Sequence, residues 1–225
     1  YAESCGLAVA LTDPDIALVT EADVLRLATE VDNHISSIVY RHKGEEKRLS
    51  PKLVILSAGA IRSATLLLSS ANGRNPNGLA NSSDQAGRNF MNHNATFMLA
   101  IDPRTVNDSV YQKTIHFNDF YFDDGHGSGP LGQVQLLGRV TAPILKTRVP
   151  LVPEIALNWI CRHAVDWYLV SEDLPRKESR VRLDGPQVIL EWRFSNMAAH
   201  HLLVKRVKER MRAAGYPILL SQLVD

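Results

Sequence analysis

The sequence predicts an α/β plus α+β fold, in which strands, a hairpin and a strand-turn-helix unit precede a mostly antiparallel sheet with helices. Three observations predict it. Strand-like runs fill residues 16–60, a continuously apolar run leads through small residues into helical spacing, and short apolar stretches recur between turn signals after residue 95. At 225 residues, 45% of them hydrophobic, the chain is long enough for one large core or two modest ones.

The charge balance gives no electrostatic reason to propose a nucleic-acid or membrane partner. Lys and Arg number 25 against 24 Asp and Glu, so we expect neither a nucleic-acid nor a membrane-surface partner. Apolar runs all fall short of the roughly 20 residues of a membrane span. The two cysteines, Cys5 and Cys161, have no metal-ligand spacing and are too few for a disulfide scaffold, so a cytoplasmic location is the default expectation and no metal site is expected.

Residues 16–60 are predicted to be mostly strand. Residues 16–20, 24–29 and 35–41 are rich in β-branched and aliphatic side chains, and Gly44 marks a hairpin turn after the third run. Residues 53–56, Leu-Val-Ile-Leu, are continuously apolar, which favours a strand covered on both faces, as in a parallel sheet. A buried helical segment is the alternative.

The small residues Ser-Ala-Gly-Ala at 57–60 come after that run, and a helix is predicted next because Ile61, Ala64, Leu68 and Ala71 recur at helical spacing. Ligands of open α/β sheets collect beyond the carboxyl ends of strands, where residues without bulk let a ligand approach the backbone. Tight packing of helix on strand explains the small residues equally well. Residues 72–83, rich in Asn, Gly, Pro and Ser, are predicted to be loop.

The rest of the chain alternates between short strands and turns. Strands are predicted at residues 96–101, 134–138, 167–170 and 188–192. A final amphipathic helix is predicted to end at Gly215 and Pro217, with one apolar face formed by Leu203, Val207, Met211 and Ala214. His200 and His201 at its start are expected to be solvated or half-buried. They are not expected to form a metal site, because side chains at adjacent helical positions do not face each other and cannot share a metal ion.

Two linked segments carry a family resemblance. Residues 54–70, VILSAGAIRSATLLLSS, and residues 78–93, GLANSSDQAGRNFMNH, closely resemble the second signature region of the glucose-methanol-choline (GMC) oxidoreductases. In that family the apolar strand and its turn belong to the FAD domain, and the Gly-x-Asn-x-x-x-His segment leads into the substrate domain. The resemblance implies a partial FAD-binding domain at residues 1–94 and a substrate-binding domain at residues 95–225.

The resemblance also implies which residues contact FAD. Ala58 and Gly59 would lie near its adenosine end, and backbone groups around Val24 would contact the adenine. Residues 89–93 would lie near the cofactor or at the mouth of the substrate cavity. The implied cofactor-binding residues are therefore Val24, Ala58, Gly59, Asn89, Asn92 and His93, although Asn92 stands where many members have Asp.

Two parts of the family pattern are missing from this sequence. No Gly-x-Gly-x-x-Gly turn opens a first βαβ unit, and the glycines at 125–129 are followed by Pro130 and Gly132, which favour a loop. The catalytic histidine of the family lies beyond the final helix, so we expect no catalytic residue in this chain. Both ends are expected to have been cut from a longer protein, and the 225 residues alone are expected to be inactive.

The implied reaction is oxidation of the CH–OH group of a small-molecule alcohol, with hydride transfer to FAD. One rival interpretation is a hydrolase using Ser128, but the spacing of Gly127, Ser128 and Gly129 does not match a Gly-x-Ser-x-Gly nucleophile elbow. A second is a non-catalytic binding module of antiparallel sheet and helices, which would explain the missing segments without truncation.

Overall fold

The computed structural model describes residues 2–110 and 113–224, which form two units. The first comprises the residues up to Phe90 together with Lys177–Glu191, and the second comprises Met91–Arg176 and the residues from Trp192 on. In chain order the elements are a π-helical turn (Glu3–Leu7), α1 (Ala8–Ala10), β1 (Ala22–Thr29), β2 (Ile35–His42), β3 (Glu45–Leu49), α2 (Gly59–Ser69), β4 (His93–Ile101), β5 (His116–Phe117), β6 (Gln133–Leu136), α3 (Ala142–Arg148), α4 (Glu154–His163), β7 (Ala164–Glu172), β8 (Arg180–Asp184), β9 (Gln187–Glu191), α5 (Met197–Ala213) and β10 (Ile218–Val224).

The first unit contains an antiparallel sheet in the order β1-β2-β3, helix α2 and the β8–β9 hairpin. The predicted strands at 24–29 and 35–41 and the turn at Gly44 are confirmed. Gly44 has φ +83°, and Lys43 before it has φ +53°, which suits the tight connection of a hairpin. The charged strand β3 comes after this turn and is exposed along its whole length.

Two strand predictions in this unit are wrong. Residues 16–20 and 53–56 form no regular secondary structure, and Leu53 and Ile55 are 78% and 82% exposed. A strand of a parallel sheet is stable only between neighbours that pair with it, and no described strand pairs with residues 53–56. The alternative of a buried helix is equally wrong, since α2 begins only at Gly59.

Helix α2 itself is confirmed, but it is rotated from the predicted face. Ile61 is exposed, whereas Thr65 is buried and Ser70, directly after the helix, is 2% exposed. A polar contact explains this rotation, because the Ser70 hydroxyl accepts a hydrogen bond from the backbone N–H of Leu27 in β1, at 2.8 Å. A periodicity count that considers only apolar residues misses such an anchor.

The second unit is built on one antiparallel sheet in the order β10-β4-β7-β6-β5. Helix α5 covers one face, where Met98, Val134 and Leu169 meet Leu203 and Val207 in the largest core cluster. On the opposite face Leu99 and Ile101 pack with Leu145 of α3 and Ile160 of α4. Alternation of side chains along β4 thus supplies both layers.

Most predictions for this unit are confirmed. Strands β4, β6 and β7 cover three of the predicted runs, and Leu203, Val207 and Met211 form the buried face of α5. Helices α3 and α4 were not predicted, nor was β10, which begins directly after the predicted stop at Pro217. Over residues 2–110 and 113–224 we find no helix with the length and apolar character needed to cross a bilayer.

Candidate functional site

A cavity of about 460 Å³ in the first unit brings two of the predicted residues together. Val24 of β1 and Ala58, just before α2, both line it. The remaining wall is formed by α2, through Arg62 and Leu66, and by the tip of the β8–β9 hairpin, through Pro186. The cavity therefore lies where a strand edge, a helix start and a hairpin tip converge.

The edge of β1 supplies the backbone groups at this cavity. A β-bulge interrupts the pairing with β2, since Val24 pairs with Tyr40 but Arg26 pairs with Val39, which leaves Leu25 as the extra residue. The carbonyl oxygen of this bulge residue, Leu25, accepts a hydrogen bond from the hydroxyl of Ser69 at 3.0 Å. The end of α2 thus fixes this edge of β1, and the cavity opens beside it at Val24.

The turn into α2 has the conformation that its sequence predicts. Gly59 has φ +77°, a region that residues with a side chain rarely adopt, and a Cβ placed there would meet no atom within 4 Å. Ala58, the N-cap residue, makes no side-chain capping hydrogen bond. Glycine is required here by backbone conformation, but Gly59 is not among the residues that line the cavity.

Asn89 lies in the first unit but does not line this cavity. It is half-buried with φ +57°, and its Nδ2 donates to Oε1 of Gln85 at 3.1 Å. The preceding Gly87 lies so close to β8 that an added Cβ would overlap the carbonyl oxygen of Val181. The Gly-Arg-Asn-Phe segment is therefore bound tightly to β8, and only glycine fits at its first position.

Asn92 and His93 belong to the second unit, and both are exposed. His93 is the first residue of β4, and its backbone N–H donates to Oδ1 of Asn92 at 2.9 Å. The backbone N–H of Asn92 in turn donates to Oδ2 of Asp173 at 3.3 Å. Asp173, which sequence reasoning did not single out, therefore positions the start of β4.

Asp173 is a buried hub of hydrogen bonds. Its Oδ2 accepts the indole N–H of Trp192 at 2.7 Å, and its Oδ1 accepts the backbone N–H and the hydroxyl of Ser195. Burial alone would raise the pKa of Asp173, but these donors stabilise the carboxylate and lower it below its usual range. A charged carboxylate thus ties the residues after β9 to those before β4.

The glycine-rich loop at residues 125–129, which contains Ser128, is held in place by Asp124. Oδ1 of Asp124 accepts the backbone N–H groups of His126 and Ser128, at 2.9 and 3.1 Å, while Oδ2 pairs with Arg206 of α5 at 3.0 Å. Although burial would raise the pKa of Asp124, these hydrogen bonds lower it. The carboxylate anchors the loop to α5 and does not orient a histidine side chain.

His200 does not match the prediction that both histidines at the start of α5 are solvated or half-buried. His200 is fully buried and bound on both ring nitrogens, whereas His201 is exposed. In the described ranges no group of three or more His, Cys, Asp or Glu side chains is placed to hold a metal ion.

Sequence reasoning missed part of the cavity at Val24 and Ala58. Arg62 and Leu66 lie within the segment that resembles the family, but neither they nor Pro186 were predicted to line a site. Their convergence on Val24 depends on contacts between distant parts of the chain, which no local pattern encodes.

Comparison with known proteins identifies the family. A family model described as GMC oxidoreductase matches residues 2–95. The chain is 30% identical over 174 residues to the fructose dehydrogenase large subunit of Gluconobacter japonicus, an alignment that covers 74% of this chain and 32% of that protein. The chain thus spans about a third of the relative's length. The residues that match the family model include the strand edge, the turn at Gly59 and the Gly-Arg-Asn-Phe segment, so this chain contains a region of the GMC oxidoreductase family.

Proposed function

We propose that this chain carries part of the FAD site and the substrate-binding region of a flavin-dependent oxidoreductase that oxidises the CH–OH group of a small-molecule alcohol. The observation that supports this most directly is the cavity at Val24 and Ala58, which lies within the region matched by the GMC family model. We assign residues 1–94 to the FAD-binding region and residues 95–225 to the substrate-binding region, except for the β8–β9 hairpin, which belongs to the first unit and lines the cavity at Val24.

The cavity suits the adenosine half of FAD in size and chemistry. Its volume of about 460 Å³ lies within the range of small-molecule sites. The apolar side chains of Val24, Leu66 and Val188 offer contacts for a purine. Arg62 places a positive charge at the same wall, which suits an anionic dinucleotide.

When bound, the flavin supplies the hydride acceptor for alcohol oxidation. The residues of this chain act by binding and positioning. In this proposal Val24, Ala58 and Gly59 hold the adenosine end, while Asn89, Asn92 and His93 lie near the cofactor or at the mouth of the substrate cavity. Asp173 fixes the backbone of that segment at Asn92.

The relative's name supports the class of donor. Fructose is a polyhydroxy compound, so its oxidation is a CH–OH oxidation, which we extend to this chain only as a class. Since that relative is a large subunit, association with a further subunit is part of the proposal. A non-catalytic module is not favoured, because the chain contains a region of an oxidoreductase family. A cytoplasmic location stays a prediction.

The test is a pair of tryptophan substitutions near the start of α2. Ala58→Trp places an indole in the cavity, whereas Ile61→Trp adds the same group at a position that is 37% exposed and outside it. In the protein expressed from its whole gene, we expect Ala58→Trp to weaken FAD binding at least about tenfold and Ile61→Trp to leave it near wild type. Bound flavin is measured from its absorbance and by fluorescence titration of the flavin-free protein.

Turnover is measured on the same samples with a panel of alcohols and sugars and an artificial electron acceptor. Equal flavin content in both variants would contradict the adenosine assignment. Flavin binding without oxidation of any CH–OH donor would contradict the proposed reaction and leave the binding site intact.

A further inference from the structure

A second cavity, of about 450 Å³, lies in the second unit between the sheet and the α3–α4 pair. One face of the sheet is covered by α5, where Met98, Leu169 and Leu203 are fully buried. The other face is covered incompletely, and the cavity occupies the space that remains.

The walls of this cavity are overwhelmingly apolar. The sheet contributes Phe97, Leu99 and Leu220, while Leu145 of α3 and Ile160 of α4 stand opposite. Only a few polar residues, among them Tyr168 and Gln222 on the sheet and Arg148 at the end of α3, belong to the lining. Water in such a space would find few hydrogen-bonding partners.

Hydrogen bonds hold the walls in place. Asp166 is 1% exposed, and its Oδ2 accepts a hydrogen bond from the backbone N–H of Val140 at 2.7 Å. The backbone carbonyl oxygen of Asp166 accepts a second one from the backbone N–H of Leu137 at 2.9 Å. Across the α3–α4 connection, Nζ of Lys146 donates to the carbonyl oxygen of Val152 at 2.7 Å. Leu137, Val140 and Val152 all line the cavity. Collapse of the cavity would have to break these bonds, which makes it preorganised rather than loosely packed.

We propose that this cavity binds an apolar small molecule, an aliphatic chain or a ring system with at most one polar end. Its volume is that of a small-molecule site, and contact with the aliphatic walls would restore the dispersion interactions that an empty cavity forgoes. A sugar is excluded as its ligand, because most of its hydroxyl groups would be buried without partners. The inference does not rest on the proposed oxidoreductase function.

The test uses a neutral fluorescent probe, N-phenyl-1-naphthylamine, whose emission rises in apolar surroundings. We expect saturable binding to the protein expressed from its whole gene, displacement by 1-decanol and no displacement by fructose. Failure of the probe to bind, the result expected if polypeptide filled the cavity, would overturn the proposal. Displacement by fructose as effective as that by 1-decanol would overturn the ligand class.

Matched variants locate the probe. Leu220→Lys introduces a charge at a lining position that is 46% exposed, and Leu190→Lys does the same at a strand position that is 45% exposed and outside the lining. Charge in the cavity should weaken probe binding at least about tenfold, and the control should not. Val149→Trp, a lining position that is 40% exposed, adds bulk without charge and should weaken binding similarly. Circular dichroism verifies the fold of each variant. Equal affinity in all of them would place the probe elsewhere and refute the inference.

Discussion

The buried histidine of α5 makes the stability of the second unit depend on pH. His200 is 0% exposed, its Nε2 lies 2.8 Å from the hydroxyl of Thr96, and its Nδ1 lies 2.7 Å from that of Ser171. Each hydroxyl can donate or accept, so a neutral imidazole of either tautomer is satisfied. Burial, assisted by the nearby His201, lowers the pKa of His200 from 6.5 to about 4.

The direction of the effect is set by the protonation of the two states. Above pH 6.5 the imidazole is neutral in the folded and unfolded chains, and the folded state keeps its full stability. As the pH falls from 6.5 to 4, the unfolded chain takes up a proton that the folded chain does not, so the free energy of unfolding decreases. The change in pKa of His200 from 6.5 to about 4 corresponds to a loss of about 3 kcal/mol, complete near pH 4.

Urea denaturation between pH 4 and pH 7.5 measures this loss. His200→Gln should lower stability at pH 7 by about 1 to 3 kcal/mol and should remove most of the dependence on pH over this range. His201→Gln, at the exposed neighbouring position, is the control and should retain the wild-type slope. Carboxylates titrate in all three proteins, so the difference between the curves isolates the histidine. Parallel curves for wild type and His200→Gln would refute the reasoning.

Two further predictions concern packing in each unit. Leu203→Ala should destabilise the second unit by about 2 to 5 kcal/mol, whereas Arg212→Ala, on the exposed side of α5, should cost about 0.5 kcal/mol; equal losses in chemical denaturation would contradict the assigned face. Gly87→Ala should destabilise the first unit by about 1 to 3 kcal/mol more than Gly44→Ala. Both glycines have positive φ, at +80° and +83°, but only at Gly87 would the methyl group meet backbone, so equal losses by the two variants would show that β8 moves aside.

Secondary structure was predictable where local pattern and tertiary environment agree. The strands β1, β2, β4 and β7 and the apolar face of α5 carry the expected periodicity, and their neighbours are present in the described chain. Residues 53–56 have the composition of a central strand but no described strand pairs with them, so composition alone misled. Strand β10 was missed because the Gly215 and Pro217 signals mark the end of a helix and carry no information about the next element.

The candidate site was predictable to the extent that it depends on backbone conformation. Gly59 and Asn89 have positive φ, and glycine and asparagine are the residue types that adopt this conformation most readily. Asp173 could not be found in the same way, because its role depends on donors from Asn92, Trp192 and Ser195, which lie far apart in the sequence. A lone aspartate after a strand has no pattern that separates such a hub from a solvated side chain.

The apolar cavity of the second unit also could not be predicted from local sequence patterns. Its walls are ordinary aliphatic residues on β4, α3, α4 and β10, which individually predict nothing but a core. What distinguishes them is the buried Asp166, which binds the N–H of Val140 through its carboxylate and that of Leu137 through its carbonyl oxygen, and so fixes the loop that forms one wall. Because burying a polar side chain is costly unless it is hydrogen-bonded, an aspartate used in this way favours a space that the fold maintains over one left by imperfect packing. The sequence feature to examine in other members of the family is therefore the polar residue that supports the cavity wall, rather than the apolar residues that line it.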